Sequence, residues 1–180
     1  MSFADSLKTG AIGEGIIARY FQRCGYNILP AYEVEKDTGK GPRLYTPKKG
    51  MLITPDLLVF NGQKTLWAEA KTKAAFTWYR QDGGSWQTGI DRRHWNDYQR
   101  VAAETPFPVF LFFLHRSGGE AKDTPSGSVS PSGLYWQNIT VLQRCIDHIS
   151  DKHGPSGMVY WREDSLVKVA EYEEILRRVA

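Results

Sequence analysis

Apolar residues recur at helical spacing near the start of the chain. In TGAIGEGIIARYFQRC, residues 9–24, they fall on one side of a helix, with Gly13 inside the apolar stripe. Because glycine costs helix stability, we expect Gly13 to mark a close approach to a sheet. Gly25 ends the predicted helix. The inward residues of this helix are predicted to be Ile12, Ile16, Ile17, Tyr20 and Phe21.

The pattern that follows predicts strands joined by loops. Residues 26–34, YNILPAYEV, are typical of a strand, and Pro30 favours a sheet edge or an irregular strand. Residues 35–50 are rich in Gly, Pro and Lys, which indicates a basic loop. Residues 51–71 predict a β-hairpin, because Asn61-Gly62 between two β-rich runs is a strong turn signal.

The second half of the chain predicts one amphipathic helix and several more strands. Residues 72–90 have no clear period and are expected to be irregular. Asp91 can cap a helix reaching about residue 104, with an inward face of Trp95, Tyr98, Val101 and Ala102. The remaining predictions are a buried strand at 109–115, a flexible loop at 117–133, a strand at GLYWQNI, a helix at about 140–152, a strand at GMVYWRE and a short helix from about 171.

The order of elements, α, β, β, β, α, β, predicts an α/β fold with a mixed central sheet. A chain of 180 residues has the size of one domain. We therefore expect a single domain over residues 1–180, with a core at about 9–115, the loop 117–133 and a C-terminal strand and helix extension at 134–180.

Composition and charge narrow the functional classes only slightly. Hydrophobic residues make up 41% and charged residues 24%, which is a globular composition. The net charge of +3 permits a nucleic-acid partner without requiring one. Cys24 and Cys145 form no CxxC pair, and no signal peptide or membrane-spanning run is visible, so a cytoplasmic protein with free thiols and no membrane partner is expected.

Two acidic residues and a lysine on the predicted hairpin carry the candidate chemistry. With a two-residue turn, Asp56 pairs with Trp67, and Glu69 and Lys71 share its face. Two carboxylates in a half-buried site repel each other unless a cation lies between them. Oxygen ligands of this kind suit Mg²⁺, with Mn²⁺ as a substitute. The alternative is a structural bridge from Lys71 to one acid, which leaves the other acid unexplained.

These residues resemble the motif of the PD-(D/E)xK nuclease superfamily, in Pro55-Asp56 and Glu69-Ala70-Lys71. Within GAIGE, Glu14 resembles the first-helix glutamate of many members, and Gln99 occupies a place where related nucleases often carry a polar active-site residue. The resemblance spans about residues 9–115 and implies an αβββαβ restriction-endonuclease-like core.

The resemblance implies hydrolysis of DNA phosphodiester bonds by metal-activated water, leaving a 5′-phosphate. Asp56, Glu69 and the Ala70 carbonyl would bind the metal, and Glu14 would bind it through water or hold a second ion. Lys71 would position or activate the attacking water, and Gln99 would orient Lys71 or contact phosphate. A solvated Glu14 and an ordinary polar Gln99 are the alternatives.

Basic and aromatic residues downstream of the hairpin predict a nucleic-acid surface. They are Lys73, Trp78, Tyr79, Arg80, Trp86, Arg92 and Arg93, with Lys48 and Lys49 in the preceding basic loop. We expect Trp95 to pack in the core. A solvated loop is an equal alternative for the two lysines.

The leading hypothesis is therefore an Mg²⁺-dependent deoxyribonuclease, similar to Holliday-junction resolvases or phage-type nucleases. A homodimer is compatible with it, and no small-molecule cofactor is expected. A catalytically silent nucleic-acid-binding domain of the same fold and an RNA-cleaving nuclease stay open, as does the choice between endonuclease and exonuclease.

Overall fold

The computed structural model describes residues 3–31, 43–47, 50–81, 83–116, 118, 124–125 and 128–180, with the backbone alone for 3–10. Lys48, Lys49 and much of the predicted 117–133 loop lie outside the described residues.

The helices are α1 (Phe3–Arg23), α2 (Arg92–Glu104), α3 (Ile139–Arg144) and α4 (Tyr172–Val179). The strands are β1 (Asn27–Pro30), β2 (Arg43–Thr46), β3 (Gly50–Ile53), β4 (Leu57–Phe60), β5 (Thr65–Lys73), β6 (Thr77–Tyr79), β7 (Ser85–Asp91), β8 (Val109–His115), β9 (Gly133–Asn138), β10 (His148–Ser150), β11 (Met158–Arg162) and β12 (Val167–Ala170).

The central sheet has the strand order β1-β4-β5-β8-β9-β12. Strands β5 and β8 are parallel, and the other neighbours are antiparallel, so the sheet is mixed. The elements α1, β1, β4, β5, α2 and β8 reproduce the predicted αβββαβ order, with the hairpins β2–β3 and β6–β7 inserted. The predicted edge position of β1 is confirmed, since β1 is the first strand in the order of the sheet and pairs with β4.

The two faces of the central sheet pack against different layers. Helices α1 and α4 cover one face. Helix α2 and the second sheet, β10-β11-β7-β6, cover the other. Side chains alternate along a strand, so Ala68 and Ala70 of β5 enter the α1 layer while Glu69 points the opposite way. The candidate site residues therefore face the α2 layer.

Helix α1 lies directly against β5, as Gly13 predicted. A Cβ atom at Gly13 would lie 1.5 Å from Oγ1 of Thr72. Ile16 and Ile17 are buried beside it. The prediction for Ile12 is wrong, because its side chain is 63% exposed.

Helix α2 has the predicted start and the predicted inward face. The Asp91 carboxylate accepts a hydrogen bond from the backbone N–H of Arg93 at 2.8 Å, which caps the helix. Trp95, Tyr98 and Val101 are buried, so Trp95 belongs to the core as expected.

Two stretches expected to be irregular contain strands. Within 72–90, β6 and β7 pair through Trp78 and Trp86, with the turn at Gly83 and Gly84 at positive φ. Within 35–50, β2 forms a hairpin with β3, so the first arm of the predicted 51–71 hairpin begins only at Leu57. The predictions missed these pairs because cross-strand contacts, and not local period, stabilise them.

The predicted helix at about 140–152 is also too long. Its first turn is capped by the Asn138 side chain, and α3 ends at Arg144. Residues 148–150 instead form β10 and pair with β11. Pairing with a neighbouring strand has overridden the local helical pattern.

Both cysteines, Cys24 and Cys145, are free thiols. Within the described parts of the chain, every helix is too short or too polar to cross a bilayer.

Candidate active site

The turn between β4 and β5 sets the register of the candidate site. The Asn61 side chain accepts hydrogen bonds from the backbone N–H groups of Gln63 and Lys64 at 3.0 and 2.8 Å. The Asn61 N–H donates to the Lys64 carbonyl at 2.9 Å. The loop therefore spans residues 61–64, and Phe60 pairs with Thr65, so the prediction of a two-residue turn is wrong.

The longer loop shifts the register by two residues. Leu58, and not Asp56, pairs with Trp67. Because Leu57 pairs with Ala68, Asp56 is level with Glu69 just beyond the end of β4. A two-residue shift returns every side chain to the same face, so Asp56 still approaches β5 on the side predicted.

The Glu69 carboxylate is the most unusual group of this site. Its side chain is fully buried, at 0% exposure. One oxygen contacts the ammonium of Lys71 as an ion pair. Among the described residues, neither oxygen of Glu69 meets a donor in hydrogen-bond geometry. Buried carboxylates normally have several such donors, so this one is under-satisfied.

Asp56 lies beside Glu69 and is held by the backbone of β5. Its Oδ2 accepts a hydrogen bond from the Ala70 N–H at 3.0 Å. Burial, together with the negative charge of Glu69, raises the pKa of Asp56 to about 7. The two acids therefore repel each other in a poorly hydrated place.

Lys71 is the cation that partly offsets this repulsion. Its side chain is 27% exposed. Burial lowers the pKa of Lys71, but the negative charges of Glu69, Asp56 and Glu14 outweigh burial and hold that pKa above its usual range. Lys71 is thus a permanent ammonium at neutral pH.

The donor set fits a divalent cation. Two acids share one ammonium, and the fully buried carboxylate of Glu69 has only that ammonium and the Tyr98 hydroxyl beside it in the described part of the chain. In a strand, the N–H and C=O of one residue point to the same side. Because the Ala70 N–H points at Asp56, its carbonyl faces that side too. Oxygen groups of this type are the ligands that Mg²⁺ and Mn²⁺ prefer.

Glu14 lies near the site without joining a larger ligand cluster. It is half-buried on α1, and its charge acts on Lys71. In the described ranges, no three side chains of His, Cys, Asp or Glu converge closely enough to hold a metal ion. A metal role for Glu14 stays a prediction.

Helix α2 presents two further residues to the site, Tyr98, which was predicted to face the core, and His94. Burial and the charges of Glu69 and Asp56 raise the pKa of Tyr98 well above its usual value. Burial and the nearby Lys71 lower the pKa of His94. His94 and Tyr98 are four residues apart and so lie on the same side of α2, near Trp95. This spacing was the signal in the sequence that could have identified them. Gln99 is half-buried on the same helix, and its proposed role stays a prediction.

Lys73 extends the row of site residues along β5. It lies on the face of Glu69 and Lys71 and is paired in register with His115 of β8. Burial and the charge of Lys71 lower the pKa of Lys73 to about 8. A partly desolvated cation thus follows directly after the candidate site.

The other predicted nucleic-acid residues are distributed over two elements. Trp78, Tyr79 and Trp86 are half-buried on β6 and β7 of the second sheet, and Arg80 follows them exposed. Arg92 and Arg93 occupy the first turn of α2, where Arg92 pairs with Asp151 at 2.7 Å. Their binding roles stay predictions.

Comparison with known proteins identifies the fold. No protein-family model and no curated protein sequence matches the chain. A solved structure that does match is Hjc, a Holliday junction resolvase from the archaeal hyperthermophile Archaeoglobus fulgidus, with a TM-score of 0.50 over 92% of this chain and 99% of that chain. The chain shares its fold with this resolvase. The sequences are 8% identical, so the likeness establishes the fold, an α/β restriction-endonuclease-like architecture with a mixed central sheet.

Proposed function

We propose that this protein is a metal-dependent nuclease of the PD-(D/E)xK type that hydrolyses DNA phosphodiester bonds. The observation that carries the proposal is Glu69, a fully buried carboxylate beside Asp56 with one ammonium, Lys71, in contact. The resolvase fold supports the same reaction class. Mg²⁺ is the proposed ion, and Mn²⁺ its substitute.

Three groups of the chain would hold the ion. They are the carboxylates of Asp56 and Glu69 and the carbonyl of Ala70, which lie just beyond the last β4–β5 pair, Leu57 and Ala68. When bound, such an ion acidifies a water molecule and neutralises charge on the phosphoryl oxygens. Glu14 would add negative charge next to this set or contact it through water.

Lys71 would act as a donor and not as a base. Because three nearby carboxylates hold its pKa above the usual range, it keeps its proton at neutral pH. Its ammonium can therefore orient the attacking water and stabilise negative charge on a phosphate oxygen. Lys73, next on the same face of β5, would hold an adjacent phosphate of the DNA strand.

The proposed substrate is DNA, and a branched duplex is the first to test. The matched structure is that of a Holliday junction resolvase, which motivates a four-way junction. A homodimer that would present two such sites is compatible with this substrate. A silent nucleic-acid-binding domain and an RNA-cleaving nuclease are the remaining alternatives.

A cleavage panel tests the proposal. The purified protein is incubated with a synthetic four-way junction, linear duplex, single strands, supercoiled plasmid and RNA, each with Mg²⁺, Mn²⁺ or EDTA. We expect metal-dependent cleavage of at least one DNA and none in EDTA. Asp56→Asn and Lys71→Ala should each reduce the rate at least about 100-fold while DNA binding persists.

Lys64→Ala is the matched control, since Lys64 is an exposed lysine in the β4–β5 loop on the same hairpin. It should cleave like the wild-type protein. DNA binding without cleavage under any metal would favour the silent binding domain, and cleavage of RNA alone would favour the ribonuclease.

A further inference from the structure

A small cleft opens where the β6–β7 hairpin meets the 3₁₀ turn Glu163–Ser165. Its volume is about 230 Å³. We call it the Trp78 cleft, and the residues that line it include Trp78, Gly84, Trp86, Arg162, Glu163 and Asp164. It is smaller than the roughly 300–1,000 Å³ of pockets for drug-sized ligands, so it suits one small planar ring system.

Two indole rings form a fixed aromatic wall of the Trp78 cleft. Trp78 and Trp86 are cross-strand partners with ring centroids 5.1 Å apart at an angle of 71°. Trp86 also packs against the main core. A Cβ atom at Gly84 would lie 2.3 Å from the Trp78 ring, and Gly84 has φ +82°, so this arrangement requires glycine. The Trp78 ring is therefore positioned by the backbone of the turn.

Arg162 supplies donors to the same cleft. Its side chain is 43% exposed, and its Nε forms an ion pair with a carboxylate oxygen of Asp164 at 3.6 Å, which is longer than a hydrogen bond. The terminal N–H groups of the guanidinium can therefore donate to an acceptor on a ligand in the cleft.

The charges around the cleft select among ligand classes. The carboxylates of Glu163 and Asp164 repel a phosphate group but can accept hydrogen bonds from amino and imino groups. The Arg162 guanidinium repels an organic cation. A flat ring with both acceptors and N–H donors on its edge, as in a nucleobase, satisfies all three side chains and stacks on tryptophan.

The cleft lies within reach of the candidate active site along the chain. Lys73 ends β5 on the active-site face, and Trp78 follows five residues later, a separation of at most about 17 Å between Cα atoms. A few nucleotides of one strand cover such a distance.

We propose that the Trp78 cleft binds one unpaired nucleobase of the strand that the Asp56, Glu69 and Lys71 site cleaves. The inference rests on the proposed function for its substrate class, whereas base binding itself can be measured without cleavage. It adds a base-recognition subsite that would favour substrates with an unpaired or extruded base.

The test is a binding scan in EDTA, where no cleavage can occur. Fluorescence anisotropy is measured with single-stranded 12-mers that carry one abasic position moved stepwise along the strand. We expect one position at which loss of the base weakens binding about tenfold, and Trp78→Leu should weaken binding of the intact 12-mer by a similar factor. On the 12-mer abasic at that position, Trp78→Leu should cause no further loss.

Arg162→Gln should weaken binding of the intact 12-mer about threefold or more. Arg144→Gln changes an exposed arginine on α3 and should bind like wild type. A flat abasic scan, or losses from Trp78→Leu that are equal on intact and abasic strands, would overturn the subsite. The scan itself needs no variant, so misfolding of Trp78→Leu cannot hide the result. If binding depends on the abasic position but no metal supports cleavage, the proposed nuclease activity is overturned and the base subsite stands. If the protein cleaves DNA but the abasic scan is flat, the base subsite is overturned and the nuclease activity stands.

Discussion

At the scale of one residue, the proposed metal site depends most on Glu69. A fully buried carboxylate is normally stabilised by several donors, and this one contacts a single ammonium. Neighbouring Asp56 adds repulsion, which an ion bound between the two acids would relieve. Two acids with such a strong mutual influence in one buried site are the reason for the proposed metal site.

Glu69→Gln should therefore abolish stabilisation by Mg²⁺ without lowering the stability of the metal-free protein. In EDTA we expect its melting temperature to equal or exceed that of wild type, because the repulsion between the two acids is removed while Lys71 keeps Asp56 as a counter-charge. Mg²⁺ at about 100 times its dissociation constant should stabilise wild type by about 2.7 kcal/mol and leave the variant unchanged. Each kcal/mol raises the melting temperature by about 2–4 °C. Differential scanning calorimetry with and without Mg²⁺ measures both effects.

Glu104→Gln, at an exposed glutamate on α2, is the control and should keep the Mg²⁺ response. A wild-type melting temperature that is insensitive to Mg²⁺ and Mn²⁺ would contradict the metal site.

We expect the buried His115 to make the folded protein less stable at acidic pH. It is 0% exposed and stacks on Phe76 with ring centroids 3.6 Å apart. Burial, with the charge of Lys73, lowers the pKa of His115 to about 3. His115 becomes protonated near pH 6.5 in the unfolded chain but not in the folded protein. The stability that the buried neutral ring contributes is therefore complete above pH 6.5 and is lost as the pH falls toward 3.

His115→Phe removes this titration while keeping a ring against Phe76. The difference in unfolding free energy between wild type and variant, from urea titrations in EDTA between pH 4 and 8, should change in favour of the variant as the pH falls. Asp56 contributes with the opposite sign, since its raised pKa weakens the fold as the pH rises from about 4 to 7, but it is present in both proteins and cancels in the difference. His153→Gln, at an exposed histidine, should leave the profile of wild type unchanged.

At the scale of elements, the contact between α1 and β5 holds Glu14 near Lys71. Gly13 allows this contact because its missing side chain leaves room for Thr72. Gly15, two residues later, has open space around it, with no atom within 4 Å of a built Cβ. The helix thus carries one glycine that packing requires and one that it does not.

Gly13→Ala should destabilise the protein by about 3 kcal/mol, since the new methyl group overlaps Thr72. Gly15→Ala should stabilise it by about 0.5–1 kcal/mol through helix propensity. Combining Gly13→Ala with Thr72→Ala should recover part of the loss, because Oγ1 is removed while Cβ stays at 2.8 Å. Chemical denaturation measures all three, and equal effects of the two alanine substitutions would refute this packing account.

At the scale of the whole molecule, residues 134–180 belong to the same core as the candidate site. Strand β9 pairs with β8, and β12 pairs with β9, so both complete the central sheet. From the second sheet, Trp161 is fully buried and packs on Trp95 with centroids 5.0 Å apart. The extension therefore contributes stability to the face that carries the site.

A chain ending at residue 132 should consequently fail to fold cooperatively. Loss of β9 exposes the long apolar edge of β8, and loss of Trp161 opens the layer over α2. Thermal unfolding by circular dichroism, with a chain lacking only the exposed Ala180 as control, tests this. A cooperative transition in the shorter chain would show that residues 9–115 fold independently.

Much of the architecture was predictable because its signals are local. The apolar stripe of α1, the Asp91 cap of α2 and the apolar run of β8 depend on neighbours a few residues away. The second sheet and β10 were not predictable in this way, since their strands are short and are stabilised by partners distant in sequence. Tyr98 was predicted as a core residue, and only its packing shows that it lies beside the two acids.

The sequence by itself determined that Glu69 and Lys71 share a face, because side chains alternate along any strand. It also determined that a turn at Asn61 returns the chain toward Asp56. Only the tertiary structure decided that Asp56 lies level with Glu69, that this carboxylate is fully buried, and that α2 closes over it. The physical reason is that alternation is a property of the local backbone, whereas register, burial and electrostatic environment depend on contacts between segments far apart in the chain.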